Sequence, residues 1–332
     1  FKIPRLTAFA AKELNNKQLA NRAWKEFFQE SWGDRNIMLR SLYRDQLIQK
    51  PEVLNDIHEN VHVGTNGTSI WGLNAIFMLE LIGDQLPDDE DIITLDKWNK
   101  LTSNRTKTIF RDNFSEGWQQ NWFLDGEKAT LSTTNNSLIF RAGKKAASDV
   151  DHAVLWTNKT FQGNLKIDFD FIKLDDATRF VNILYIKARG EGQGEYQQDI
   201  SMWKNLRRIP AMKTYFDHMH LYHISFAAYE NDNDNADNDY IRARKYTPGK
   251  GLDQTDFIPT YKNTGFFKPG VKHHISVIQT EDEMLMSVEN NQQSKIYHWR
   301  TPKSIINEAG RIGIRMMGSR AASFSNFTVS NF

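Results

Sequence analysis

Asn164-Leu-Lys-Ile-Asp-Phe-Asp-Phe-Ile172 reads as a β-strand: apolar, β-branched and aromatic residues run through it and Gly163 precedes it. The same signature recurs at 137–141, 153–157, 180–188, 220–228, 273–280, 284–290 and 295–300. Turns containing Asn and Gly separate these runs, and no strand–helix–strand alternation appears among them. Eight or more antiparallel strands over roughly 220 residues imply a two-sheet sandwich or jelly roll. The closing segments, Gly310-Arg-Ile-Gly-Ile-Arg-Met-Met317 and Ser323-Phe-Ser-Asn-Phe-Thr-Val329, read as two strands around a loop. Ile109-Phe-Arg-Asp-Asn-Phe-Ser115 is a first strand able to pair with them, which would make this part of the chain a domain.

Ahead of the strands the period changes. Ala11 to Ser31 places Leu14, Leu19, Ala23, Phe27 and Phe28 on one side, with Lys and Glu opposite, and ends at Gly33. Asn36 to Gln49 repeats the pattern until Pro51, and a further helix follows Thr68 or Ser69 through Ile82. Pro87 to Asp91 reads as a solvated turn leading into one more short helix. The expectation is a small helical domain over 1–107 and a β domain over 108–332, mainly β with some α.

The composition bounds what such a protein does. The chain has 332 residues, with 42 basic and 41 acidic side chains and a net charge of +1, so no global field draws it to nucleic acid or an anionic membrane. No apolar run reaches the ~20 residues of a membrane span. The absence of cysteine excludes disulfides, thiolate metal sites and a thiol nucleophile. The chain opens at Phe1 rather than Met, compatible with a removed signal, and a periplasmic or secreted location is expected.

Chemistry-bearing residues are densest between Ile186 and Tyr246. His218-Met-His-Leu-Tyr-His223 carries three of the nine histidines; read as a strand, it puts His218, His220 and Tyr222 on one face and His223, Ser225, Ala227 and Tyr229 on the other. No third ligand completes a zinc site with His218 and His220, so no metal and no cofactor is expected. The acidic run Glu230 to Asp239 lacks the glycine and closing glutamate of a calcium loop, and Gly190-Glu-Gly-Gln-Gly194 lacks the Lys and Ser/Thr of a phosphate loop. No Gly-x-Ser-x-Gly elbow is present. The carboxylate pairs Asp168/Asp170 and Glu281/Glu283 are the nearest approach to a glycosidase pair, and neither has a third acid.

What remains is a set of cations, phenols and imidazoles, which suits an anionic sugar. Arginine grips a carboxylate or sulfate through its fork, and Trp or Tyr stacks on a pyranose. The same set suits β-elimination at a uronic acid, where a neutralised carboxylate acidifies the C5 proton, a base removes it and an acid assists the leaving oxygen.

The blocks Ile186-Lys-Ala-Arg-Gly-Glu-Gly-Gln-Gly-Glu-Tyr-Gln-Gln-Asp-Ile-Ser-Met-Trp203, Arg208 to Ser225, Tyr240-Ile-Arg-Ala-Arg-Lys-Tyr246 and Gly310 to Arg315 resemble the YesU-like family over about 108–332. The resemblance implies a concanavalin-like jelly roll that accompanies degradation of acidic polysaccharides such as pectin and ulvan, with lyase or dehydratase activity on uronic-acid ends. It puts His223, Arg242, Arg244 and Lys245 on the concave face. The family pattern has His after the arginine of the last block, whereas Met316 follows Arg315 here.

The functional expectation is therefore a lyase or dehydratase acting on an anionic oligosaccharide, with a non-catalytic carbohydrate-binding module or a glycoside hydrolase as alternatives. His223, Tyr240, Tyr246 and Lys245 are the candidate proton-transfer groups. Arg242 and Arg244, joined by Lys245, would hold the carboxylate or sulfate. Trp203 would stack on a sugar, with Lys187, His220 and Arg320 as further substrate contacts.

Overall fold

The computed structural model describes residues 89–253, 255–301 and 309–332. The chain divides into two units, Phe1–Asn99 and Lys100–Phe332. The helices expected before residue 88 lie outside the described residues. The first described element is helix α1, Asp89–Thr102, which takes in Asp89 to Asp91 where the sequence reading has a turn.

Fifteen strands follow: β1 (Lys107–Asp112), β2 (Trp122–Asp125), β3 (Thr130–Thr134), β4 (Ser137–Arg141), β5 (Ala153–Phe161), β6 (Leu165–Lys173), β7 (Phe180–Gly190), β8 (Met219–Tyr229), β9 (Tyr240–Tyr246), β10 (Tyr261–Lys262), β11 (Lys272–Gln279), β12 (Glu283–Glu289), β13 (Ser294–Arg300), β14 (Gly310–Met316) and β15 (Ala321–Asn331). They form two antiparallel sheets. The first runs β13-β12-β11-β6-β15-β4-β3 with β1 also on β15, and the second runs β10-β9-β8-β7-β14-β5-β2. This is the expected jelly-roll sandwich, and β1 pairs with β15 as the sequence ends suggested.

The strand that opened the sequence reading explains the packing. Along β6, Leu165, Ile167, Phe169 and Phe171 all enter the core between the sheets, while Lys166 and Asp168 stay outside it. Ile224, Phe226, Ile241 and Ala243 meet them from the second sheet. Burying a side chain such as Phe171 contributes about 1.5–3 kcal/mol relative to exposure.

A second apolar cluster lies on the outward face of the second sheet. Val154, Trp156, Ile183, Tyr185, Leu221 and Tyr246 project there and are covered by the 3-10 segment Ile200–Arg207 and by helix α2 (Met212–His218). Trp156, Tyr185 and Tyr215 stack in near-parallel planes, with centroids 5.5 Å and 5.9 Å apart across Tyr185. Gly313 on β14 makes room for this stack, because a Cβ there would stand 2.4 Å from the Trp156 ring. Gly313→Ala is expected to cost about 1–3 kcal/mol through overpacking. Urea unfolding measures it, and an unchanged midpoint would show that the ring can move aside.

Candidate functional site

Strand alternation sorts the candidate residues before any chemistry is considered. On β9, Tyr240, Arg242, Arg244 and Tyr246 face outward, while Ile241 and Ala243 enter the inter-sheet core. Register places Arg244 beside His223, Arg242 beside Ser225 and Tyr246 beside Leu221 on β8. One strand further, Tyr185 lies beside His223 and Ile183 beside Ser225. Beyond β7, Arg315 of β14 is opposite Ile183. The outward face thus carries a diagonal of cations around His223.

His223 is 2% exposed. Its Nδ1 is 2.8 Å from Tyr246 Oη and its Nε2 is 2.6 Å from Ser225 Oγ. A neutral imidazole offers one donor and one acceptor, so one hydroxyl donates to the ring and the other accepts from it. Burial, with Arg244, Arg242 and Arg315 nearby, holds the His223 pKa well below the usual histidine range. Burial raises Tyr246 well above the usual phenol range. The dyad is therefore a neutral imidazole bonded to a neutral phenol. Tyr240 is pushed up to about 12, chiefly by burial. Its hydroxyl accepts from Arg242 Nη2 at 3.0 Å, and the Arg242 guanidinium lies 4.6 Å from its ring centre.

The arginines reach the surface. Side-chain exposure is 19% for Arg242 and 12% for Arg244, so both present donors beside the buried dyad. Asp256 faces them from the neighbouring segment, with its Oδ1 2.6 Å from Arg244 Nε and its Oδ2 3.9 Å from Arg242 Nη1. Glu230 Oε1 is also 3.9 Å from Arg242 Nη1. Phe216 of α2, partly buried, sets its ring edge-on to Tyr246 with centroids 6.1 Å apart.

The other candidates lie elsewhere. Lys245 points away from the arginines, with its Nζ 5.8 Å from the Tyr222 ring centre, and burial lowers its pKa. His220 stands opposite Arg189 in register, so it and Lys245 are not part of the outward cluster. Trp203 is 3% exposed; Arg207 lies 4.2 Å from its ring centre and Tyr196 meets it edge-on. Lys187 donates to the Gly163 carbonyl at 2.6 Å, and burial lowers its pKa to about 8. Arg320 is fully buried, and its Nη1 donates to the carbonyls of Phe180 (2.9 Å) and Ala227 (2.8 Å) while its Nε meets Asp175 at 3.2 Å. Both carbonyls belong to residues with positive φ, where β8 and β7 bulge. The bulge also turns Ala227 into the inter-sheet core, away from the His223 face on which the alternation had put it. His218 ends α2 rather than starting β8, with its Nδ1 2.9 Å from Glu191 Oε1 and its ring stacked on Tyr196.

The Asp168/Asp170 pair sits on the outward face of the first sheet. Lys166 and Ser276 hold Asp168, and Lys272, His274 and Asn326 hold Asp170. A cleft of about 260 Å³ between Thr160, Asp199 and Arg311 contains none of the candidate residues. Among the described residues no group of three or more His, Asp and Glu is arranged to hold a metal, and no helix is long and apolar enough to cross a membrane.

Residues 1–87 match the family model described as PcRGLX-like protein C-terminal alpha/alpha toroid domain. This family differs from the YesU-like family that the Ile186–Tyr246 blocks resemble, and it covers the part of the chain expected to be helical. No curated protein matches the chain. Among solved structures, a Bacillus subtilis protein of unknown function with a galectin-like fold is 16% identical, with a TM-score of 0.48 over 68% of this chain and 97% of that one. A carbohydrate-binding module from Bacillus subtilis is 11% identical, with a TM-score of 0.38 over 64% of this chain and 96% of that one. Lectin II from Ulex europaeus is 11% identical, with a TM-score of 0.42 over 69% and 98%. The fold class of this chain rests on its own two sheets and their strand order.

Sequence reading puts Ser225 on the His223 face but does not name Phe216, Asp256 or Arg315 as parts of the outward cluster. The spacing of two residues from His223 within a strand is the signal that places Ser225 there. For Asp256 no local signal exists.

The buried histidines make stability depend on pH. His223 is joined by His152, lowered to about 3 by burial and by Arg315, and by His273, lowered to about 4 by burial. Below about 6.5 the unfolded chain takes up protons at these positions and the folded chain does not. Stability is thus full above that value and falls with pH, by about 1.4 kcal/mol per pH unit for each histidine that stays neutral. Denaturant unfolding at pH 7 and pH 5 should show the loss, and His223→Gln should remove one histidine's share of it. An identical pH slope in the variant would contradict a neutral His223.

Proposed function

We propose that the chain binds a carboxylate-bearing saccharide on the outward face of its second sheet, at Arg242 and Arg244. The observation that carries this is the pairing of two guanidiniums on one strand face, each partly exposed and each reaching Asp256. Arg244 already forms an ion pair with a carboxylate oxygen at 2.6 Å, and guanidiniums can likewise donate to a carboxylate of a ligand. Phe216, edge-on to Tyr246, would supply the apolar ring on this face, the role the sequence reading gives to Trp203. A saccharide, rather than another carboxylate, is the ligand that the resemblance of the Ile186–Tyr246 blocks to the YesU-like family implies.

Titration with oligogalacturonate and with neutral galactose tests this. Arg244→Met should weaken oligogalacturonate binding about tenfold or more, the loss expected for a hydrogen bond to a charged group. Galactose binding should be unaffected. Equal loss for both sugars, or for neither, would remove the carboxylate from the reading.

A second reading is favoured by the dyad. A neutral His223, bonded to a protonated Tyr246 and surrounded by cations, has the parts for β-elimination: imidazole takes the C5 proton, the phenol protonates the departing oxygen, and guanidinium holds the carboxylate. Against it stands burial, since His223 is 2% exposed, Tyr246 is fully buried, and a lowered pKa makes the imidazole a weak base. The product is a 4,5-unsaturated uronate. Ultraviolet absorbance should rise on incubation with pectic, ulvan or alginate oligosaccharides and should not rise with His223→Ala. Saccharide binding without any rise leaves the binding module as the function, and new reducing ends without the chromophore would mark a hydrolase instead.

A further inference from the structure

Beneath the 3-10 segment and α2, the outward face of the second sheet encloses a polar seam whose charges do not balance. Three ionisable side chains with a fixed charge are wholly buried there: Asp125 at 1% exposure, and Arg207 and Arg315 at 0%. Asp125 and Arg207 compensate each other, with Nε to Oδ2 at 2.6 Å. Arg315 has no such partner: among the described residues no carboxylate forms an ion pair with it. Its Nη2 lies 2.9 Å from His152 Nδ1 and donates to the Pro210 carbonyl at 2.6 Å, and its guanidinium lies 4.8 Å from the centre of the Tyr215 ring. Its Nε and Nη1 are buried and make no well-formed hydrogen bond, with the Tyr185 hydroxyl a further acceptor near the guanidinium. On the His152 side, Asp149 Oδ1 is 3.6 Å from His152 Nδ1 and Asp151 is taken by Lys128 and Ser148, while Asp125 reaches the Tyr215 hydroxyl but is paired with Arg207.

A buried guanidinium without an opposite charge, and with unmade hydrogen bonds, is one of the costlier arrangements a protein can hold. It persists where the surroundings force it or where a ligand completes it. The charge is felt across the outward cluster, since Arg315 acts on His223, Tyr185, Tyr215 and Tyr246 alike. The seam is closed above Tyr185 by Met212 of α2, whose sulfur is 3.7 Å from Tyr185 Oη, and Phe216 lies one helical turn further along. Methionine is unbranched and adapts readily, which suits a closure that must yield.

We propose that Arg315 is the buried anchor for a carboxylate of the ligand, which enters between α2 and β9 and restores charge balance in the seam, with Arg242 and Arg244 guiding it from the surface. The inference rests on the reading of the outward face as a saccharide site. It adds a third cation, and it requires that one acidic group of the ligand be desolvated while the rest of the sugar stays outside. A terminal uronate fits this requirement, because an internal residue would be flanked by glycosidic bonds on both sides.

The test is the thermal melting of the whole chain titrated with D-galacturonate, for the wild type, Arg315→Met and Arg315→Lys. In the wild type the midpoint should rise with galacturonate and not with galactose. Arg315→Met removes the uncompensated charge, so without ligand it should melt at or above the wild-type temperature, and its galacturonate response should vanish. Arg315→Lys keeps the charge with fewer donors and should need at least tenfold more galacturonate for the same rise; it serves if Arg315→Met does not fold. A wild-type response that survives unchanged in either variant overturns the anchor and leaves the surface site standing. A melting loss in Arg315→Met together with an unchanged response marks Arg315 as a structural tie to Pro210. No wild-type response at all overturns both the anchor and the outward-face reading.

Discussion

One carboxylate oxygen holds the outer layer of this protein in place. Asp125 Oδ2, at the end of β2, accepts from Trp156 Nε1 at 2.7 Å, Arg207 Nε at 2.6 Å and Tyr215 Oη at 3.0 Å. Those donors come from β5, the 3-10 segment and α2, so a single buried charge ties both covering elements to the sheet. Arg207 then donates onward to the carbonyls of Trp203 and Ile200, satisfying the segment it belongs to. Arg207's donors are thereby met, whereas Asp125 Oδ1 stays buried without a partner, and removing either residue of the pair would strand the other.

Everything on the outward face follows from that closure. With α2 fixed over the sheet, Tyr185, Tyr215 and Tyr246 are sealed from water, their phenols stay protonated, and His223 stays neutral. The low dielectric that raises the phenols also strengthens every interaction with the neighbouring guanidiniums. The reach of these cations narrows outward in steps, from Arg315 wholly buried to Arg244 and Arg242 partly exposed beside Asp256. The face therefore grades from a dry positive interior to a wet edge where positive and negative charges meet.

Much of the sandwich was legible in the chain because strand signals are local. Phe169 and Phe171 alternate with Asp168 and Asp170, and period-two patterning names the buried face without knowledge of any partner strand. The functional cluster was half legible for the same reason: Arg242 and Arg244 share a face by spacing alone, and they meet His223 because β8 and β9 pair. Trp203 and Arg320 were legible as residue types only. An indole or guanidinium looks the same in sequence whether it is offered to a ligand or used to satisfy buried neighbours, and here Trp203 packs under Arg207 while Arg320 bonds two bulge carbonyls. His218 was assigned to a strand because the three histidines run on without a break signal, yet tertiary packing of Tyr215 holds those residues in α2.

By itself the sequence determined the sandwich class, the pairing of the first strand with the last, and the concentration of cations and imidazoles between Ile186 and Tyr246. Those properties follow from periodicity and composition, which act over a few residues. Tertiary structure decided which of these groups act together: it set His223 between Tyr246 and Ser225, put Lys245 and His220 on the other side, and left Arg315 buried without an opposing charge. Burial and charge balance are properties of what surrounds a side chain in space, and residues as far apart in sequence as Asp125 and Arg207 become neighbours only when the 3-10 segment closes over the second sheet.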